Sequence, residues 1–228
     1  MVNPAAPRPS SARPADRDVV LVTGFDPFGG DAVNPSWLVA QRLHRRRVAG
    51  HTVVAALLPT EFGTSLPRLH ALLAQHRPAL VICLGLGANR QALSIERVAI
   101  NVQDARIADN AGVQPVDEHV APDAPVAYFS TLPIKAMRSA IESAGIAAEV
   151  SQTAGTFVCN HVFYGLMHHL ATRRGFKRTR GGFIHVPPLD SQAAHGLALE
   201  QMVEGVRIGI RAALGAARDV RQGAGAVS

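Results

Sequence analysis

Short β-branched apolar runs alternate along this chain with longer stretches in which apolar residues recur every three or four positions. The run Asp18-Val19-Val20-Leu21-Val22-Thr23-Gly24 reads as a buried strand. Phe25-Asp26-Pro27-Phe28-Gly29-Gly30 follows as a turn-rich loop. Asn34-Pro35-Ser36 then opens a helix, with Trp37, Leu38, Ala40 and Leu43 at helical spacing. His51 to Leu58 is a second strand, ending at Pro59-Thr60. Phe62 to His76 is helical, with Leu66, Leu69, Leu72 and Leu73 on one face and Pro67 expected in its first turn. Ala79 to Gly85 is the most apolar strand, and Leu93 to Val102 alternates as another. Asp104 to Asp123 is polar and carries Pro and Gly, which predicts a long loop. Pro133 to Ala144 is a helix stopped by Gly145, and Ala148 to Ser151 is a short strand. An apolar helix beginning near Cys159 runs to about Arg173, with Val162, Phe163, Leu166 and Leu170 inward. Gly182 to Pro187 is a strand, and Leu197 to Ala217 is a last amphipathic helix.

Alternating strands and helices predict an α/β fold: a three-layer α/β/α sandwich with an open, mostly parallel twisted sheet and helices on both faces. In such sheets ligands sit outside the carboxyl ends of the strands. That rule gathers Phe25 to Gly30, Thr60, Gly85 to Arg90 and His185 on one edge, where a helix starting at Cys159 also begins.

Composition narrows the class. A chain of 228 residues with 47% hydrophobic residues is ample for a packed core. Residues 1 to 17 are rich in Pro, Ala and Arg without periodicity and are expected to be a disordered leader. Residues 18–217 form one catalytic domain in this reading, and 218–228 a flexible tail. The only cysteines, Cys83 and Cys159, lie in apolar contexts 76 positions apart with no CxxC pair, which suits a reducing cytoplasm. The first residues show no secretory h-region, and no apolar run approaches the ~18 residues of a membrane span. The net charge of +6 invites a nucleic-acid reading. Its clusters, Arg42 with Arg45 to Arg47 and Arg173 to Arg180, are not interleaved with aromatics and match no binding motif. They read as solvated helix ends.

The stretch Thr153-Ala154-Gly155-Thr156-Phe157-Val158-Cys159-Asn160-His161 places a cysteine at a helix start. There the helix dipole and free N–H groups favour a thiolate and can face a developing oxyanion. The competing reading is a small buried apolar residue, the one adopted for Cys83. His185, at a strand end, is the natural proton partner for Cys159, and Glu96 is a lone acid in an apolar strand, suited to orient His185. The alternatives are a core histidine, and a salt bridge from Glu96 to Arg97 or Arg106.

Four segments then carry a resemblance. Thr23 to Gly30 with Asn34-Pro35-Ser36-Trp37, Glu96 to Asn101 with Asp104 to Asn110, Thr153 to His161, and Gly182 to Pro187 resemble, in order, segments of the pyroglutamyl-peptidase I family. The resemblance implies a cysteine exopeptidase that removes N-terminal pyroglutamyl residues from peptides through a thioester. It implies Cys159 as nucleophile, His185 as general base and acid, and Glu96 as the residue orienting His185. Phe25, Phe28, Thr60, Ile107, Phe157 and Val158 would form or border the lactam pocket, with Arg106 near the oxyanion. An α/β/α fold, no metal, no cofactor and commonly a tetramer are also implied. A small flat lactam calls for such an apolar, aromatic slot with a few backbone polar groups. This chain departs from the family pattern at Leu86, where many members carry Gln.

Rival readings differ at identifiable residues. A glutamine amidotransferase places its cysteine in a Gly-x-Cys-x-Gly elbow, and Phe157-Val158-Cys159-Asn160-His161 lacks both glycines. Gly85-x-Gly87 lacks the third glycine of a dinucleotide fingerprint. His161, His168 and His169 read as polar caps on a helix rather than metal ligands, since no carboxylate or cysteine joins them at ligand spacing. A catalytically inert binding homologue is the remaining alternative.

Overall fold

The computed structural model describes residues 18–225, so the expected leader, residues 1–17, and the last three residues of the tail lie outside it. Among the described residues, nine strands and five α-helices follow one another: β1 (Val19–Phe25), α1 (Pro35–Leu43), β2 (Arg47–Val48), β3 (His51–Leu58), α2 (Phe62–His76), β4 (Leu80–Leu86), β5 (Leu93–Glu96), β6 (Val98–Ile100), β7 (Ala127–Phe129), α3 (Ile134–Glu142), β8 (Ala148–Ser151), α4 (Val158–Thr172), β9 (Arg180–Val186) and α5 (Leu199–Gly215).

Seven strands form the central sheet in the order β2-β3-β1-β4-β9-β5-β8. The pairs β3/β1, β1/β4, β4/β9 and β5/β8 are parallel, while β2/β3 and β5/β9 are antiparallel. The sheet is mixed, mostly parallel, and covered on both faces, as an α/β sandwich requires. Successive residues of β1, β4 and β9 point to opposite faces. Val20, Val22, Leu80, Ile82, Leu84, Ile184 and Val186 pack into one apolar core under α1, α3 and α5. Leu21, Phe25, Val81, Cys83 and Phe183 pack into a second under α2 and α4. The strands are apolar throughout because both faces are buried.

The Leu93 to Val102 strand expected from the sequence is divided. β5 stays in the central sheet, whereas β6 leaves it to pair with β7, a strand the apolar pattern did not announce. Asn160 of α4 holds β6 in its separate place. Its side chain accepts from Ile100 N–H and donates to the carbonyls of Ile100 and Val102, taking the place of a neighbouring strand. Pro67 sits in the second turn of α2 rather than the first. The helix absorbs one lost N–H bond there because Leu69, Leu72 and Leu73 are buried beyond it. Asp104 to Asp123 is a long loop, closed by a Gln103–Glu118 bridge and by Asp109, which accepts from the N–H groups of Phe62, Ala111 and Val113. In the tail, Asp219 accepts from Lys135 and Ala136 N–H at the start of α3, and Arg97 donates to the Ala224 carbonyl.

Candidate active site

The carboxyl edge of β1, β3, β4 and β9 carries the polar residues the sheet rule gathers. α1 begins there because Asn34 caps it: its side chain accepts from Ser36 N–H at 3.1 Å, and Pro35 fills the first turn. Ser36 in turn accepts from Phe25 N–H at 3.0 Å, and Asn34 donates to the Asp26 carbonyl at 2.9 Å. Asp26 also takes Thr60 N–H at 2.8 Å and the Thr60 hydroxyl at 2.6 Å, while Asn110 donates to the Pro27 carbonyl. The loop bearing Phe25 and Phe28 is thus held from three directions.

α4 starts on the same edge. A turn at Gly155, with φ +75°, reverses the chain, and the Thr156 hydroxyl anchors it to the Asp104 carbonyl at 2.7 Å. The cap residue, Phe157, supplies no side-chain hydrogen bond, and the first capping bond runs from His161 N–H to the Phe157 carbonyl. The N–H groups of the first turn, at Val158, Cys159 and Asn160, therefore have no place in the helical ladder and are available to an anion.

Cys159 is half-buried and free. Gly85 lies directly across β4/β9 from His185. A Cβ at Gly85 would come within 2.8 Å of Cys159 Sγ and of the Phe183 ring, so the bare backbone is what lets the sulfur settle against the sheet. His185 is buried, and its Nδ1–H donates to Glu96 Oε1 at 2.8 Å. Cys159 is the other polar side chain that acts on its ring. Burial alone would lower the imidazole. Cys159 and Glu96 outweigh that and raise it to about 9, so the ring carries its proton at neutral pH.

Glu96 reaches this place by a route the parallel-sheet rule does not foresee. β5 runs against β9, with Ser94 opposite His185, so Glu96 stands diagonally below the histidine on the same face. It is fully buried, and its cationic neighbour is Arg90 at 3.8 Å, not Arg97 or Arg106. Arg90 also bonds Glu149 at 3.0 Å and Ser151 Oγ at 2.9 Å. Arg97 instead donates to Gln152 at 2.7 Å.

A cavity of about 310 Å³ opens beside Cys159. Phe25, Phe28, Thr60, Leu86, Phe157 and Val158 all line it. The Phe28 and Phe157 rings meet at 5.1 Å, and Phe62 backs Phe157 edge-on at 5.4 Å. Arg106 and Ile107 do not join these walls. Both are exposed on the loop whose Asp104 is tied to Thr156, so they stand outside the cavity, and no buried acid draws Arg106 inward.

The three helix histidines are not caps. His161 is buried against Phe62, His168 bonds the Tyr128 hydroxyl at 3.0 Å, and His169 stacks on His70 with ring centres 4.5 Å apart. Among the described residues, no group of three or more His, Cys, Asp or Glu is placed to hold a metal ion, and no helix is long and apolar enough to cross a membrane. Cys83 is buried, and burial pushes its thiol up to about 12, as a core position demands.

Sequence reasoning placed Asp26 and Arg90 in segments on the site edge but gave Asp26, Phe62, Arg90 and Asn160 no role of their own. Asn160 had a usable signal: an amide inside an apolar helix, beside the cysteine, requires partners. Arg90 had none, because its partners are 59 and 61 positions away.

Comparison with known proteins identifies a family. The family described as "Pyroglutamyl peptidase" matches residues 18–216. The pyrrolidone-carboxylate peptidase of Cupriavidus taiwanensis is 53% identical over 211 residues, covering 90% of this chain and 97% of its own. The crystal structure of pyroglutamyl peptidase I from Bacillus amyloliquefaciens superposes with a TM-score of 0.87 at 42% identity, covering 91% of this chain and 100% of that one. Pyrrolidone carboxyl peptidase from Thermococcus litoralis gives a TM-score of 0.87 at 33% identity, covering 90% of this chain and 99% of that one. With matches of this length, identity and shape, the chain belongs to the pyroglutamyl peptidase family.

Proposed function

We propose that the chain is a cysteine exopeptidase that removes N-terminal pyroglutamate from peptides, with Cys159, His185 and Glu96 as its catalytic residues. The observation that carries the assignment is the buried Glu96–His185 hydrogen bond at 2.8 Å, ending on a cysteine at the start of α4.

The lactam ring lies between Phe25, Phe28 and Phe157, with Thr60 and Val158 closing the slot. These walls are apolar and neutral, and suit a ring that carries no charge. The sulfur of Cys159, its proton held on His185, attacks the pyroglutamyl carbonyl carbon and forms the C–S bond. The carbonyl oxygen takes the electron pair and faces the free N–H groups of the first turn of α4. As the oxyanion collapses, the C–N bond breaks and the imidazolium gives its proton to the departing amine. The neutral ring then takes a proton from water, whose oxygen attacks the thioester carbonyl. Cleavage of the C–S bond releases pyroglutamate, and the thiolate faces the imidazolium again.

Glu96 holds the ring and balances its charge throughout. Arg106 and Ile107 enter this reading as rim residues whose loop meets the substrate from outside the cavity. Leu86 contributes an apolar wall through its side chain. A homotetramer or dimer in the cytoplasm belongs to the same reading, as does the absence of any cofactor.

Hydrolysis of a pyroglutamyl aryl amide by the reduced protein tests the proposal. Turnover lost in Cys159→Ser and after iodoacetamide supports it, and turnover that survives in Cys159→Ser overturns the mechanism.

A further inference from the structure

The cavity extends well past the aromatic slot. Its lining continues over the sheet edge to Val33 and Asn34 at the start of α1, and to Leu86 at the end of β4 and Ala88 just past it, with Asp31 at the rim. The chemistry decides which part of a substrate goes there. The group that protonates the leaving nitrogen is His185, so the departing peptide must sit on the His185 side of Cys159. The backbone at Gly87 runs beside that histidine: Gly87 N–H donates to the Val186 carbonyl at 2.9 Å, and a Cβ built on Gly87 would meet His185 Cβ at 3.2 Å. Leu86 and Ala88 flank Gly87 and both face the cavity.

We propose that Val33, Leu86 and Ala88, with Asp31 at the rim, form a binding subsite for the first residue of the departing peptide, one that accepts apolar or cationic side chains and disfavours acidic ones. The assignment rests on the peptidase reading above.

Two further observations support it. Among the described residues, no hydrogen-bond donor or cation pairs with the Asp31 carboxylate, and it is the only acid in the cavity lining. An exposed, uncompensated acid at a mouth repels an acidic side chain and attracts a basic one. The loop from Leu189 to Leu197 also buttresses the shelf from behind. His195 Nε2 lies 3.0 Å from the Ala88 carbonyl, Gln192 donates to the Val33 carbonyl at 3.4 Å, and Leu189 bridges Leu197. The shelf is therefore held on both sides rather than left to open as a loose surface.

The test measures kcat/KM for a set of capped dipeptides, pyroglutamyl-Gly, -Leu, -Lys and -Glu amides, on the reduced full chain. The expected Lys-over-Glu preference is about fivefold at low salt, the upper end for one exposed charge pair, and it shrinks toward unity at high salt. In Asp31→Asn the ratio falls to within about twofold, read inside one enzyme so that any general loss of activity cancels. In Ala88→Leu the Leu amide loses about tenfold more than the Gly amide, because the added side chain occupies the shelf. Ratios unchanged in both variants overturn the subsite while leaving the peptidase assignment intact. Failure of the wild-type enzyme on all four amides overturns the peptidase assignment itself.

Discussion

At the scale of single residues, the decisive group is His185. Its imidazole is raised to about 9 even though burial works in the opposite direction, because Cys159 and Glu96 both favour the charged ring. In the proposed mechanism the acylation step needs that proton, so kcat/KM for a pyroglutamyl amide is expected to fall as pH rises through about 9. Glu96→Gln removes one of the interactions that raise the ring. The alkaline limb of its pH profile should therefore move to lower pH, together with a loss of about 10- to 100-fold in rate. A limb that stays in place would separate Glu96 from the histidine. Gly85 offers a purely steric counterpart. Gly85→Ala puts a methyl 2.8 Å from the sulfur, and a displacement of the nucleophile by about 1 Å costs on the order of a hundredfold. The variant should keep its circular dichroism spectrum while losing that much turnover.

Among the elements, α4 does two jobs at once: its first turn presents Cys159, the proposed nucleophile, and its interior face closes one core. Asn160 connects the two by three hydrogen bonds to β6 and its flanking residue Val102, all from a fully buried side chain. Asn160→Ala strands those backbone groups. At about 1 kcal/mol for each bond, the expected loss is roughly 3 kcal/mol, read as a lower midpoint in urea unfolding. The contact between α2 and α4 carries a second, pH-dependent feature. Burial, only partly offset by the Phe62 backbone, lowers His161 to about 4, and burial with nearby positive charge lowers His169 to about 4 as well. Unfolded histidine binds a proton near 6.5. The unfolded chain thus takes up more protons between about pH 6.5 and 4, and stability falls as pH drops through that window. Thermal midpoints measured from pH 7 to 4 should decline, and His161→Phe, which keeps the ring contact with Phe62, should flatten the decline.

In the whole molecule, two cores share one sheet, and successive helices alternate between them, α1, α3 and α5 over one and α2 and α4 over the other. The C-terminal stretch is tied into this body across 84 positions: Asp219 takes two N–H groups at the start of α3, as a helix cap would. Deleting residues 217–228 is expected to cost about 1–2 kcal/mol, the range for losing a cap, and to lower the unfolding midpoint without removing activity. The elements themselves were legible in the sequence. β3, α2 and β8 begin and end where their apolar periods do, and α1 begins at its Asn-Pro-Ser signal. The division of residues 93–102 and the appearance of β7 were not legible, because no local pattern encodes a strand whose partner is an asparagine 60 positions away. Cys159, His185 and Glu96 stood out by residue type, as a thiol at a helix start, an imidazole at a strand end and a lone acid in an apolar run.

What the sequence alone determined is therefore most of the elements, the layered class and which residue types stand at the sheet edge, since period, caps and buried-charge costs act over a few residues. The tertiary structure decided the antiparallel setting of β5 that brings Glu96 beneath His185, the bare Gly85 that admits the sulfur, the Arg90 that faces Glu96, and the exposed position of Arg106 and Ile107. Each of these depends on strand order and on packing between residues tens of positions apart, and no short stretch of sequence carries that information.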